Sequence, residues 1–155
     1  MSLVITIAAA KETANEHDYE WCARLMSSNE PWITLGRGLE GCRAALRRPG
    51  TELFVAREDQ HPVGFLLLAD YGLAGSPYIA SIAVDEAARG RGVGSQMLRF
   101  AEERYAGRRH LFLLVSDFNP RARHLYERHG YELIGELKDY AVPGRSELLM
   151  HKRLE

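Results

Sequence analysis

Residues Arg89 to Gly94 read Arg-Gly-Arg-Gly-Val-Gly, between the β-branched apolar run Tyr78 to Val84 and an amphipathic stretch, Val93 to Tyr105. Glycines at alternate positions let a ligand approach the backbone, and the helix start beyond them offers free N–H groups and a positive dipole end. With Arg89 and Arg91 adding charge, the segment reads as an anion cradle. The competing reading is a tight strand-to-helix turn that needs glycine for its own sake. The segment fails the Walker pattern, because Val93-Gly94-Ser95-Gln96 contains no lysine. It also fails the dinucleotide fingerprint, because Ser95 or Met97 stands where glycine or alanine is required.

Other residues have types that suit chemistry. Glu30, Asp70, Tyr71, Asp117 and Asp139 are candidate bases, each also explicable as a cap, turn or solvated surface group. Asn29-Glu30-Pro31-Trp32-Ile33-Thr34 sets a carboxylate and a large aromatic in one loop, where a cationic amine would meet both charge and a π face. Trp32 is equally explicable as a cover for the core. His61, His110, His124 and His129 lack metal-ligand spacing, so no metal is expected.

The elements that must position these groups follow from periodicity. Leu3 to Ala8 is a strand candidate; Tyr19, Cys22, Ala23 and Met26 recur at helical spacing over Asp18 to Met26, and Leu39, Cys42 and Leu46 mark a second helix ended by Arg48-Pro49-Gly50. Glu52 to Arg57 and Val63 to Tyr71 flank Glu58 to Pro62, which predicts a hairpin with a longer loop. Tyr78 to Val84 is the next strand. Val93, Met97, Leu98, Ala101 and Tyr105 form one buried helix face, and Gly107 ends that helix. The continuous apolar run His110 to Ser116 predicts a strand covered on both faces and parallel to the one before the glycine loop. Asn119-Pro120 opens the last helix as N-cap and first residue, and Gly130 closes it. Tyr131 to Tyr140 and Ser146 to Arg153, with Val142-Pro143-Gly144-Arg145 between them, form a terminal hairpin.

The 155 residues suit one domain, 1–155, with enough chain to bury a core without staples. Twenty basic against twenty-one acidic side chains leave a formal charge of -1, which excludes a global attraction to nucleic acid or an anionic membrane. Any phosphate binding must be local. Cys22 and Cys42 lack the close spacing of a zinc or redox motif, which predicts buried thiols in a reducing, cytoplasmic compartment. The run Leu3 to Ala10 is too short to span a bilayer.

Arg89, Gly92 and Gly94 match the acyl-coenzyme A loop of the GNAT N-acetyltransferases, which the segment resembles. The flanks agree: Ile82-Ala83-Val84-Asp85 is similar to the family's preceding strand end, and Asn119, Leu125-Tyr126-Glu127 and Gly130-Tyr131 to its later helix. The likeness runs from about Glu52 to Leu154. It implies an α/β fold with a single mixed, mostly antiparallel sheet, helices on both faces, splayed between the strands ending at Val84 and Ser116. Acetyl-coenzyme A would enter that split. The resemblance implies that Ile82, Ala83 and Val84 pair with the pantetheine arm, that Arg89, Gly90, Arg91, Gly92, Val93, Gly94 and Ser95 hold the pyrophosphate, and that Asn119 bonds the arm. Arg121 or Arg123 would lie near the ribose phosphate. Tyr126, otherwise an ordinary half-buried aromatic, would assist the departing thiolate.

The implied reaction is direct acetyl transfer to a small-molecule amine or a peptide N-terminus. The alternative is a non-catalytic acyl-coenzyme A sensor. Attack requires an uncharged amine, which at pH 7 costs a lysine-like group of pKa ~10.4 about 4.6 kcal/mol and an α-amine of pKa ~8 roughly 1.4. The tail from Gly130 to Tyr140 is similar to bacterial enzymes that acetylate the N-terminal alanine of a ribosomal protein, yet Leu114 stands where those place a glutamate base. The acceptor wall is expected within Asp18 to Leu46. Assembly is open between monomer and homodimer.

Overall fold

The computed structural model describes residues 4–155. Seven strands, β1 (Thr6–Ala9), β2 (Thr51–Glu58), β3 (His61–Leu73), β4 (Ser76–Val84), β5 (His110–Ser116), β6 (Glu132–Lys138) and β7 (Ser146–Arg153), form one sheet in the order β1-β2-β3-β4-β5-β7-β6. Every neighbouring pair is antiparallel except β4 and β5. Four α-helices intervene: α1 (Asp18–Ser27), α2 (Gly38–Leu46), α3 (Val93–Arg104) and α4 (Pro120–Arg128). A 3-10 turn, Glu86–Ala88, leads into the glycine loop. None of these helices is long and apolar enough to cross a membrane.

Alternation along the central strands sends side chains to two cores. Leu53, Val55, Phe65 and Leu67 pack with Cys22, Met26, Trp32, Cys42 and Leu46 of the α1–α2 layer. Phe54, Ala56, Leu66 and Leu68 face the other way and pack with Val93, Met97, Leu98 and Ala101 of α3 and with Tyr126 of α4. The period of two in β2 and β3 thus meets the period of 3.6 in the helices on both faces. Both cysteines are buried and free, and burial pushes the Cys22 thiol well above its ordinary range.

Four expectations about the elements change. β1 begins at Thr6, where its register with Arg57 of β2 starts; the expected Leu3 lies outside the described residues. The β2–β3 hairpin is tight, not long. Asp59 and Gln60, both with positive φ (49° and 69°), make a two-residue turn whose twist suits the strands, and Pro62 pairs within β3. β5 is not covered on both faces: Leu111, Leu113 and Val115 are buried against α3 and α4, whereas His110, Phe112 and Leu114 are half-buried on a face only partly roofed. β6 is shorter than expected and forms an edge strand, exposing Leu133, Ile134 and Leu137.

The sheet opens between β4 and β5. Their ladder has only two paired positions, Tyr78 with Phe112 and Ile79 with Leu113. At that point β4 carries an irregularity against β3, where Leu67 faces Ser81 and Leu68 faces Ile79, so Ala80 is the extra residue. A bulge bends its strand and ends local pairing, and the downstream segments of both strands diverge into a V. Gly64 of β3 stands opposite Val84 at the diverging end of β4: a Cβ there would stand 2.7 Å from the Ala83 carbonyl oxygen and 3.1 Å from Met97 Cε. Gly64→Ala is therefore expected to lose about 2 kcal/mol of stability through overpacking and to displace β4 at Ala83, which urea unfolding and coenzyme titration would read together.

Candidate functional site

The split between β4 and β5 widens into a cavity of about 940 Å³. Its floor is Ile82, Ala83 and Val84 of β4, one end is the glycine loop with the first turn of α3, and the opposite wall is Asn119 and α4. Glu30, Pro31 and Trp32 close it from the α1–α2 side. The structure therefore brings Gly90, Gly92, Val93, Gly94, Ser95, Arg89, Asn119, Arg121 and Tyr126 to one space with that strand end.

The loop owes its shape to its glycines. Gly90 and Gly92 have φ of 76° and 87°, conformations that side chains resist, and Gly92 is the N-cap of α3. Gly94 answers a different need, since a Cβ there would meet Leu125 Cδ2 at 2.9 Å where α3 packs on α4. The anion-binding capacity rests in the backbone N–H groups of this helix start.

The two arginines of the motif are not the free cations that their sequence position suggests. Arg89 Nε donates to the Val84 carbonyl at 3.2 Å and Nη2 to Asn29 Oδ1 at 2.7 Å, so the side chain braces the loop against β4 and the α1–α2 connection. Arg91 turns away from the cavity and pairs with Glu58 at 2.9 Å. Sequence alone could not show this, because both carboxamide and carboxylate partners come from distant elements. Positive charge comes instead from α4, where Arg121 and Arg128 line the cavity together with His124, and Arg123 points to Glu127. The i, i+3, i+7 spacing of these residues on one helix face was the available signal for His124 and Arg128.

Asn119 caps α4, its Oδ1 accepting from Ala122 N–H at 3.4 Å, while also lining the cavity. Ser95 Oγ lies 2.9 Å from His129 Nε2, and burial lowers the histidine's pKa, favouring a neutral ring. Tyr126 is only 5% exposed, more buried than the sequence suggests, and stacks edge-on to Tyr131. Burial, followed by the neighbouring Tyr78, pushes its phenol far above the ordinary value. It is therefore a proton holder at any physiological pH. Its hydroxyl forms no hydrogen bond among the described residues, in contrast to Tyr105, which donates to Asp70 at 2.9 Å, and Tyr131, which donates to Glu102 at 3.1 Å.

Most candidate bases prove structural. Asp70 is held by Tyr105; Tyr71 lies under the Arg108 guanidinium; Asp117 accepts from Ser146 N–H at 2.9 Å; Asp139 accepts from Gly144 N–H. None of the four lines the cavity. Glu30 does, but its carboxylate accepts from both the backbone N–H and hydroxyl of Thr34 and so caps the turn it begins. Those bonds hold its pKa below the usual range. Trp32 packs on Phe65 in the core at 8% exposure and also lines the cavity. Among the described residues no three His, Cys, Asp or Glu side chains converge as metal ligands.

Residues 10–131 match the acetyltransferase (GNAT) family, to which the chain belongs. It is 34% identical over 104 residues to the uncharacterized N-acetyltransferase MJ1530 of Methanocaldococcus jannaschii, covering 64% of this chain and 65% of that one. The chain spans 55% to 65% of the curated relatives it matches. Nourseothricin acetyltransferase is 31% identical, with 69% of this chain and 67% of that one aligned at a TM-score of 0.62. At lower identity the fold is shared nearly end to end. An aminoglycoside 6'-N-acetyltransferase complexed with coenzyme A is 16% identical at TM-score 0.75, covering 97% of both chains. The ribosomal-protein-S18-alanine N-acetyltransferase of Escherichia coli is 18% identical at 0.73, covering 98% and 95%.

Proposed function

We propose that this chain transfers an acetyl group from acetyl-coenzyme A to a primary amine by direct attack, the acceptor being a small-molecule amine or a peptide N-terminus. The observation that carries this reading is the cavity in the β4–β5 split, with helix-start amides at one end and, on its wall, the buried Tyr126, whose hydroxyl has no hydrogen-bond partner among the described residues. The residues fit the donor. Open Cβ directions at Gly90 and Gly92 leave backbone accessible, Arg121 supplies charge at the cavity wall, and β4 beyond Ile79 has no strand partner on its β5 side among the described residues.

The donor, when bound, supplies an acyl group activated as a thioester. The chain's own residues do the rest. Backbone groups of Ile82 to Val84 are free to bond along one edge, and N–H groups there suit developing oxyanion charge. Amides from Gly90 to Ser95 bind phosphate, with Arg89 fixing the loop from behind and Arg91 contributing through its backbone. Asn119 positions the arm. Tyr126, fully protonated, donates to the leaving sulfur. Free buried cysteines suit a reducing compartment, and we place the reaction in the cytoplasm.

A thiol-release screen over small amines, amino acids and short peptides with free N-termini tests the reading. At least one class is expected to raise release above background hydrolysis. If coenzyme A bound but no acceptor raised release, a sensing module would replace the enzyme.

A further inference from the structure

A second cavity, of about 310 Å³, opens on the other side of Tyr126 and Asn119. It occupies the half-roofed face of β5, between the α1–α2 layer and the β6–β7 connection. Glu147, near the start of β7 and paired in register with Ser116 of β5, lines it. The Glu147 carboxylate forms no ion pair among the described residues. Ser116 Oγ lies close enough to favour its charge yet makes no well-formed hydrogen bond, although the residue is only 2% exposed. A buried hydroxyl with no well-formed hydrogen bond and a half-buried carboxylate with no ion pair among the described residues thus face one cavity, where a ligand's donor groups would satisfy both.

The opposite wall carries cations. Arg37 and Arg48 line the same cavity, and neither guanidinium has an ion-pair partner among the described residues. Tyr78 lines the same cavity, and its phenol is pushed up to about 12, chiefly by burial and then by Tyr140 and Glu147, against Arg48.

We propose that this cavity is the acceptor pocket and that it takes a small zwitterion, an amino-acid-like primary amine, with its ammonium at Glu147 and Ser116 and its carboxylate at Arg37 and Arg48. This rests on the acetyl-transfer reading above and names its substrate class. Glu147 then acts as base: one proton passes from the ammonium nitrogen to a carboxylate oxygen, the nitrogen keeps the electron pair of that N–H bond, and nothing is oxidised or reduced. Burial and the nearby Asp117 raise the Glu147 pKa against the Ser116 contribution, bringing it nearer the amine's own value and improving it as a base at neutral pH.

The test compares L-leucine with L-leucinamide and glycyl-L-leucine with its amide, each titrated calorimetrically against the protein and assayed for thiol release. Each acid is expected to bind and react at least 10-fold better than its amide. Arg48→Gln is expected to remove that preference, and Glu147→Gln to lower kcat/KM about 100-fold while coenzyme A affinity stays within about twofold. Equal handling of acid and amide in both pairs would overturn the zwitterion assignment. Unchanged kcat/KM in Glu147→Gln would overturn the base. Loss of coenzyme A binding by the unmodified protein would count against the acetyl-transfer reading itself.

Discussion

Tyr126→Phe is expected to lower turnover by about 100-fold with a good acceptor, the usual contribution of a positioned proton donor, while coenzyme A affinity changes by no more than about threefold, the worth of one weak hydrogen bond. The phenol is buried against Tyr131 and faces both cavities, yet its hydroxyl has no protein partner among the described residues. Removing it therefore leaves no orphaned group behind, and thermal unfolding should shift little. This separation of effects is what makes the variant informative. A structural aromatic would tolerate the change in every assay, so unchanged turnover would strip Tyr126 of its role. The raised pKa also fixes the sign with pH: the phenol stays protonated through neutrality, so its loss should lower the whole rate profile without moving an alkaline limb.

Gly92→Val is expected to weaken coenzyme A binding at least 100-fold in calorimetry while the protein remains folded. At φ 87° a β-branched side chain costs about 1–2 kcal/mol or somewhat more, which lies within the ordinary stability of a domain. Nothing lies within 4 Å of the added Cβ, so the protein itself does not clash; the side chain would project at the helix start where phosphate must approach. Gly144, at φ 80° in the exposed β6–β7 connection, provides the control. Gly144→Val imposes comparable strain outside the donor cavity and should leave coenzyme affinity intact. If both variants bound coenzyme A normally, the loop would be only a turn.

Element types were legible because they depend on local patterns. Asn119-Pro120 announced α4, the glycine loop announced α3, and alternation in β2 and β3 separated two faces. Boundaries were less legible, since β1 and the β2–β3 turn are set by register with a partner strand. The site divided in the same way. Gly90, Gly92, Asn119 and Tyr126 carry local signatures, whereas the fates of Arg89, Arg91 and Glu30 depend on Asn29, Glu58 and Thr34, whose proximity requires the folded chain or a turn not readable as such. Glu147 carries no local signature for the same reason: nothing in Ser146-Glu147-Leu148 distinguishes it until β7 lies beside β5.

By itself, then, the sequence determined the glycine loop and its helix start, because such a turn is built from consecutive backbone conformations that glycine spacing encodes. The second cavity, proposed above for the acceptor, was decided by tertiary structure. A bulge at Ala80 and two-position pairing split the sheet, the β5–β7 ladder sets Glu147 beside Ser116, and the α1–α2 layer brings Arg37 and Arg48 to the same cavity beside Tyr126.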